Sequence, residues 1–276
     1  DGADAEPGER ASEERAAGGV AENEPASVGV LARAFSRPVA GVARADWARA
    51  RRAPITLTYA VYPLLVLLSP VSTSVREGAV AGSLPLWLAL CGAWIAGGLF
   101  ALNAVGGQGA TLPVVLLGDS PGRALVRGHV VAGLVLVAPV AVAATAATAL
   151  VGPQGPASVL TLAALAAVLS LSAGPMASGI GVALPKFEAV SVSRGSEAVL
   201  PSMLAFAGYS LALIAVALPG VLGHSAILGH AIADWTGLGR VAVAGTGTAV
   251  TAVAGLAAGV VSMRYAVSRV DAYRLD

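Results

Sequence analysis

The chain is poor in charged residues, cysteine and lysine, and each scarcity excludes a class of protein or site. Charged side chains make up 12% of the 276 residues and apolar ones 56%, whereas a soluble domain is about 25% charged. So few charges do not cover the surface of a water-soluble fold of this size. The composition therefore predicts an integral membrane protein, in which the 34 glycines and many alanines let helices pack closely.

The single cysteine and the single lysine exclude two kinds of site. Cys91 lies in an apolar run, which excludes an intrachain disulfide and a cysteine-based metal site. Lys186 lies between Pro185 and Phe187 with no glycine beside it, so the sequence has no P-loop lysine to reach nucleotide phosphates. We therefore expect no catalytic residue, metal ion or cofactor on this chain.

The region before the first apolar segment divides into two parts. Residues 1–27 are acidic and rich in glycine, alanine and proline, so we predict a disordered acidic tail. Because the chain begins with Asp1, we expect a processed product or part of a longer protein, in which this tail would be a linker. Residues 28–53 carry six arginines among apolar side chains, which predicts a basic amphipathic interfacial helix. We expect Pro38 and Gly41 to break it.

Six uncharged apolar segments follow, and about 20 helical residues cross the hydrocarbon core of a bilayer. They predict an all-α bundle of six transmembrane helices over 54–264, with a C-terminal tail at 265–276. The first segment is long enough if residues 54–74 are counted. The absence of charge within the segments disfavours a proton-coupled pump. The segments are 55–71, 80–105, 130–151, 157–184, 199–222 and 241–263.

Basic residues between the spans predict the orientation. Beyond the acidic tail, 13 of the 15 basic residues fall on one side of the predicted bundle. Only Arg76 and Arg240 fall on the other. Lysine and arginine are retained on the cytoplasmic face, so we expect a multi-pass protein of the plasma membrane with both termini in the cytoplasm.

The densest polar pattern lies between the second and third spans. A glycine-rich turn around Gln108 is followed by a short apolar stretch at 110–117 and by Asp119. Arg123 and Arg127 then share one helical face. A cytoplasmic loop with a short helix suits docking of a soluble partner. His129 follows at the cytoplasmic start of the third span, and its side chain is expected to reach toward the lipid headgroups.

This pattern resembles the membrane subunits of ABC-2 type exporters. In that family a span ends near an asparagine and a glycine-rich turn, and a short interfacial helix, a Ser-Pro pair and a basic helix start follow. The sequence has Gln108 where the family often has glutamate, and Ala104 where proline is common. The matching residues are Asn103, Gly106, Gly109, Ser120, Pro121, Gly122, Arg123 and Arg127.

The resemblance implies a permease subunit that lacks an ATPase of its own. A separate P-loop ATPase subunit would carry ATP and Mg²⁺, and a second six-span half would complete the transporter, either as a second copy or as the remainder of a longer chain. The bilayer is the other expected partner, and no nucleic acid is expected. The implied ATPase-coupling loop comprises Asn103, Gly106, Gln108, Gly109, Asp119, Arg123 and Arg127. A second cytoplasmic loop comprises Lys186, Glu188, Arg194 and Glu197.

Two other functions are compatible with the sequence. The uncharged spans allow a non-transporting scaffold or assembly protein, because glycine and asparagine also end helices and arginines favour the cytoplasmic face in any membrane protein. A membrane enzyme would use His224, His230 and Asp234, which lie together before the sixth span. Their separations do not place all three on one helical face, so loop polarity explains them better than a metal site.

Overall fold

A computed structural model describes residues 31, 33–193 and 196–273. The predicted acidic tail, Arg194 and Arg274 lie outside these residues. Short 3-10 turns precede α2 and connect α4 to α5. The elements are α1 (Arg37–Arg52), α2 (Thr58–Val66), α3 (Leu68–Glu77), α4 (Leu84–Gly98), α5 (Leu112–Leu116), α6 (Pro121–Val151), α7 (Pro156–Ala183), β1 (Ala189–Ser193), β2 (Ser196–Val199), α8 (Met203–His224), α9 (Ala226–Thr236) and α10 (Arg240–Asp271).

Six helical segments of the described chain are long and apolar enough to cross a membrane. They confirm the predicted all-α fold class and the multi-pass character of the protein. The first is α2 together with α3, and the second is α4 with the turn that follows it. The segments are Thr58–Glu77, Leu84–Asn103, Pro121–Val151, Pro156–Ala183, Met203–His224 and Arg240–Asp271.

The first span is interrupted and extends further than its hydropathy predicts. The α-helix ends at Val66 and resumes at Leu68, because Pro70 has no N–H to bond the carbonyl of Val66. The helix then continues to Glu77 and ends at Gly78, which has a φ of 64°. Arg76 and Glu77 therefore belong to the helix rather than to a loop.

The bundle is organised around α7, which packs against α4, α6, α8 and α10. At its centre Tyr209 of α8 is fully buried. The hydroxyl of Tyr209 donates to the carbonyl oxygens of Ala93 and Trp94 on α4, at 3.0 and 3.2 Å. These bonds satisfy a polar group that would be costly to bury alone, and they fix α8 against α4.

Helix α1, the helix predicted to be interfacial, packs directly on the third span, α6. Val39, Ala40 and Ala43 form a cluster with Val131 and Ala132. At Gly128 the two helices approach so closely that an added Cβ would lie 2.4 Å from Cβ of Val42. The predicted helix begins at Arg37 and runs through Gly41 to Arg52.

The expected break in this helix falls elsewhere than predicted. The chain bends at Phe35, and Pro38 lies in the first turn of α1, where a missing N–H leaves no helical bond unmade. Gly41 does not break the helix. At the other terminus, α10 continues to Asp271, so most of the predicted C-terminal tail is helical.

The second cytoplasmic loop of the prediction contains a short β-hairpin. Strands β1 and β2 are antiparallel, with Ala189 opposite Val199 and Ser191 opposite Glu197. This hairpin was not predicted, although the sequence Ala-Val-Ser-Val-Ser of β1 alternates apolar and polar residues as strands do.

Candidate functional site

Buried polar side chains gather at one end of the bundle, which we call the arginine-rich end. It comprises α1, the segment 101–123 with the start of α6, the segment 184–202 and the last turns of α10. The opposite end carries the connections 78–83, 152–155 and 225–239. The arginine-rich end contains every described residue of the two predicted cytoplasmic loops.

Asp46 of α1 is the centre of this cluster, and it was not among the predicted site residues. It is the only acidic residue between positions 28 and 53, and it is 2% exposed. Val39, Ala43 and Asp46 follow helical spacing on the buried face of α1. One carboxylate oxygen of Asp46 pairs with Nη1 of Arg49 at 3.2 Å, and the other contacts His129.

His129 lies in the first turns of α6, and it is buried rather than directed to the headgroups as predicted. Its side chain is 3% exposed, because α1 covers this part of α6. Nδ1 lies 2.5 Å from Oδ2 of Asp46, and Nε2 lies 3.0 Å from Nε2 of Gln108. The Gln108 amide nitrogen only donates, so Nε2 of His129 accepts and Nδ1–H donates to Asp46.

Gln108 joins His129 to α1, as both a donor and an acceptor. Its amide nitrogen donates to His129, and its Oε1 accepts from Nη2 of Arg49 at 3.5 Å. Nη1 of Arg49 also donates to the carbonyl of Gly107 at 3.3 Å. An ionised glutamate at this position would only accept, and would need a proton on Nε2 of His129. A glutamine, which both donates and accepts, therefore suits His129 and Arg49 at this position.

Asn103 connects the first predicted loop to the second. Its Nδ2 donates to the carbonyl of Lys186 at 2.9 Å, and its Oδ1 accepts from the Lys186 N–H at 3.2 Å. The side-chain amide of Asn103 therefore bonds both backbone groups of Lys186, as the backbone of a neighbouring strand would. Gly106 makes it possible, because an added Cβ would lie 1.9 Å from the Lys186 carbonyl oxygen.

The other predicted residues lie at the surface of this end. Gly109 is exposed and has a φ of 50°, which favours glycine. Asp119, Arg123 and Arg127 are exposed and line a cleft of about 510 Å³ between α1 and the 112–121 segment. Of the second set, Lys186 is bonded as above and Glu188 is exposed. Glu197 lies in β2, and Arg194 lies outside the described residues.

A further contact ties the last helix to the same end. Oδ1 of Asp271 accepts from the backbone N–H of Gly122 at 2.8 Å. The carboxylate thereby satisfies one of the amides left unbonded in the first turn of α6. Sequence spacing could not indicate this contact, because the two residues are 149 positions apart.

A cavity of about 310 Å³ opens beside the polar cluster. Its lining combines the cluster residues Asp46, Gln108 and His129 with Phe100 and, from the segment after the hairpin, Pro201. Arg49 is 41% exposed and lies between the cluster and solvent. The arrangement holds four chain segments together by hydrogen bonds.

Two residues of the enzyme hypothesis, His224 and His230, line one cavity at the end opposite the arginine-rich end, but Asp234 does not line it. His224 contacts Thr161 through Nε2 at 3.1 Å and the carbonyl of Gly220 through Nδ1 at 2.9 Å. His230 contacts the carbonyl of Ala226 in its own helix, and Asp234 is exposed on α9. Among the described residues, no group of three His, Cys, Asp or Glu side chains could hold a metal ion.

The fold and this end together define a multi-pass helical membrane protein whose first helix, α1, and connecting segments are joined by buried polar contacts. The chain matches no protein-family model, no curated protein and no solved structure.

Proposed function

We propose that the chain is the membrane-spanning permease subunit of an ATP-driven exporter of the ABC-2 type. The observation that carries the proposal is the joining of α1, the 103–108 turn and Lys186 by buried polar contacts that also reach His129 on α6. A partner that displaces the connecting segments would therefore displace a membrane-spanning helix. Energy coupling from a soluble ATPase requires such a connection.

The short helix α5 is the proposed docking element. Val114 and Leu117 are 73% and 86% exposed, on a segment that joins two spans and is itself too short to cross a membrane. Exposed apolar side chains beside the exposed Asp119, Arg123 and Arg127 suit a protein partner. In this proposal the partner is a P-loop ATPase subunit that binds ATP and Mg²⁺.

The remaining parts of the proposal concern assembly and location. A second six-span half would pair with this one, because in the proposed mechanism the transport pathway lies between the two halves. The arginine-rich end would face the cytoplasm, because lysine and arginine are retained there, and the protein would lie in the plasma membrane. The apolar spans favour an apolar or amphiphilic cargo.

The test is crosslinking from α5 in the native membrane, followed by assay of the purified complex. A photoreactive residue replaces Leu117, and the control carries it at Val151, which is 78% exposed at the other end of α6. We expect the Leu117 variant alone to crosslink to a polypeptide with a P-loop. The purified complex should hydrolyse ATP, and deletion of 110–117 should release the ATPase.

Two results would contradict the proposal. A purified complex without a P-loop ATPase would favour the scaffold hypothesis. An ATPase that stays bound after deletion of 110–117 would show that the coupling loop is wrongly assigned.

A further inference from the structure

A cavity of about 770 Å³ lies at the end of the bundle opposite the arginine-rich end. It is lined by α4, the α6–α7 connection, the start of α7, α8, α9 and the start of α10. The ionisable side chains that line it are Arg240, His224 and His230, and its described lining includes no carboxylate. The cavity is therefore complementary to a negatively charged group.

Arg240 is held in place by the chain end of α8. Its Nη1 donates to the carbonyl of Gly223 at 3.4 Å and its Nη2 to the carbonyl of Ser225 at 3.1 Å. A guanidinium has further N–H donors beyond these two, and the side chain lines the cavity. Its charge is thus fixed in position before any ligand arrives, which lowers the entropy lost on binding.

An apolar groove of about 250 Å³ adjoins this cavity between α4 and α8. The two share Trp87, Leu90 and Val221 in their walls. The groove continues along α8 to Leu213. From Val221 to Leu213 the helix rises by about 12 Å, which is most of one leaflet of the roughly 30 Å hydrocarbon core. The groove therefore has the length of most of one acyl chain.

Helix α9 indicates where the membrane surface lies at this end. Its side chains Ile227 and Trp235 are 81% and 87% exposed. Tryptophan and apolar side chains of a short helix favour the level of the lipid headgroups. The cationic cavity beneath α9 is consequently at headgroup depth, with the groove leading into the hydrocarbon.

We propose that the cavity and groove bind one anionic phospholipid of the adjacent leaflet. Arg240 contacts the phosphate, and His224 and His230 line the cavity around the headgroup. An acyl chain lies along the groove beside Trp87 and Trp94. Three observations support this inference independently of the proposed transport function. They are the arginine that lines the cavity, the apolar groove, and the wall that the two share.

The test uses lipids with brominated acyl chains, which quench tryptophan fluorescence on contact. The protein carries Trp47→Phe and Trp235→Phe, so that Trp87 and Trp94 report, and is reconstituted in phosphatidylcholine bilayers. A small fraction of brominated phosphatidylglycerol is compared with the same fraction of brominated phosphatidylcholine. We expect at least about tenfold stronger apparent binding of the anionic lipid, as one charge-assisted hydrogen bond allows.

Arg240→Gln should abolish this preference, and Arg240→Lys should retain part of it. The matched control is Arg76→Gln, at the same end but outside the cavity, where the guanidinium contacts Ser72 of its own helix. It should leave the preference unchanged. Two results would overturn the proposal. One is equal quenching by both lipids in the protein that retains Arg240 and Arg76. The other is a loss of the lipid preference in Arg76→Gln as large as that in Arg240→Gln. Displacement of the lipid by inorganic phosphate would also overturn it, because the site would then recognise the free anion.

Discussion

Nδ1 of His129 lies 2.5 Å from Oδ2 of Asp46, and both residues are 2% exposed. This contact joins α1 to the span α6 over a separation of 83 residues. Burying a carboxylate is costly unless it is paired and hydrogen-bonded, and here Arg49 and His129 both contact it. The contact therefore fixes the position of α1 with a specificity that its small apolar residues alone do not provide.

Replacing Asp46 by alanine should destabilise the protein. The change leaves the buried Nδ1–H of His129 without an acceptor, which costs about 1–3 kcal/mol. Thermal unfolding in detergent should show this loss as a lower midpoint. Asp119→Ala, at an exposed acidic residue of the same end, should change the stability by less than about 0.5 kcal/mol. Equal midpoints for the two variants would show that the buried cluster contributes nothing to stability.

The junction between the two connecting loops can be broken at one glycine. In Gly106→Ala the new Cβ would lie 1.9 Å from the Lys186 carbonyl, so the two hydrogen bonds of Asn103 must separate. We expect a loss of about 1–3 kcal/mol from overpacking, measured by thermal unfolding. Gly107→Ala is the matched control, because its Cβ would find its nearest atom, Nη1 of Arg49, at 3.9 Å.

A smaller effect should come from the link between the last helix and α6. Asp271→Ala removes the side-chain acceptor of the Gly122 amide, and loss of such a cap costs about 0.5–2 kcal/mol. Hydrogen exchange should accelerate in the first turn of α6 and not in its centre. Asp271→Asn keeps an acceptor oxygen and should exchange nearly as slowly as the original chain. Unchanged exchange in the alanine variant would show that the cap does not protect this turn.

The spans were predictable because hydropathy is a local property. A run of about 20 uncharged apolar residues indicates a crossing whatever its neighbours are. The break at Leu67 was not predicted, because the missing N–H of Pro70 does not change the hydropathy of the apolar run. The hairpin was also missed, because its alternation covers only a few residues and its flanks are polar.

The polar cluster was predictable only in part. The loop pattern and the family resemblance indicated Asn103, Gly106 and Gln108, and these residues do meet other segments. They gave no indication of Asp46, although its spacing from Val39 and Ala43 places it on the buried face of α1. His129 was expected at the headgroups, because the sequence does not show that α1 covers the start of α6. Such contacts between distant segments depend on tertiary packing, which spacing alone does not supply.

The orientation of the bundle can be tested by labelling single cysteines. Cys91 is buried and is first replaced by alanine. A cysteine is then placed at Gly155, where an added Cβ meets no atom within 4 Å, or at the exposed Asp119. The two positions lie at opposite ends of the bundle. Because the basic residues gather at the Asp119 end, the positive-inside rule predicts that Gly155→Cys reacts with an impermeant maleimide in intact cells. Asp119→Cys should react only after the membrane is opened. The reverse labelling would place the arginine-rich end outside, where no ATPase could reach α5, and would remove the basis for the proposed coupling.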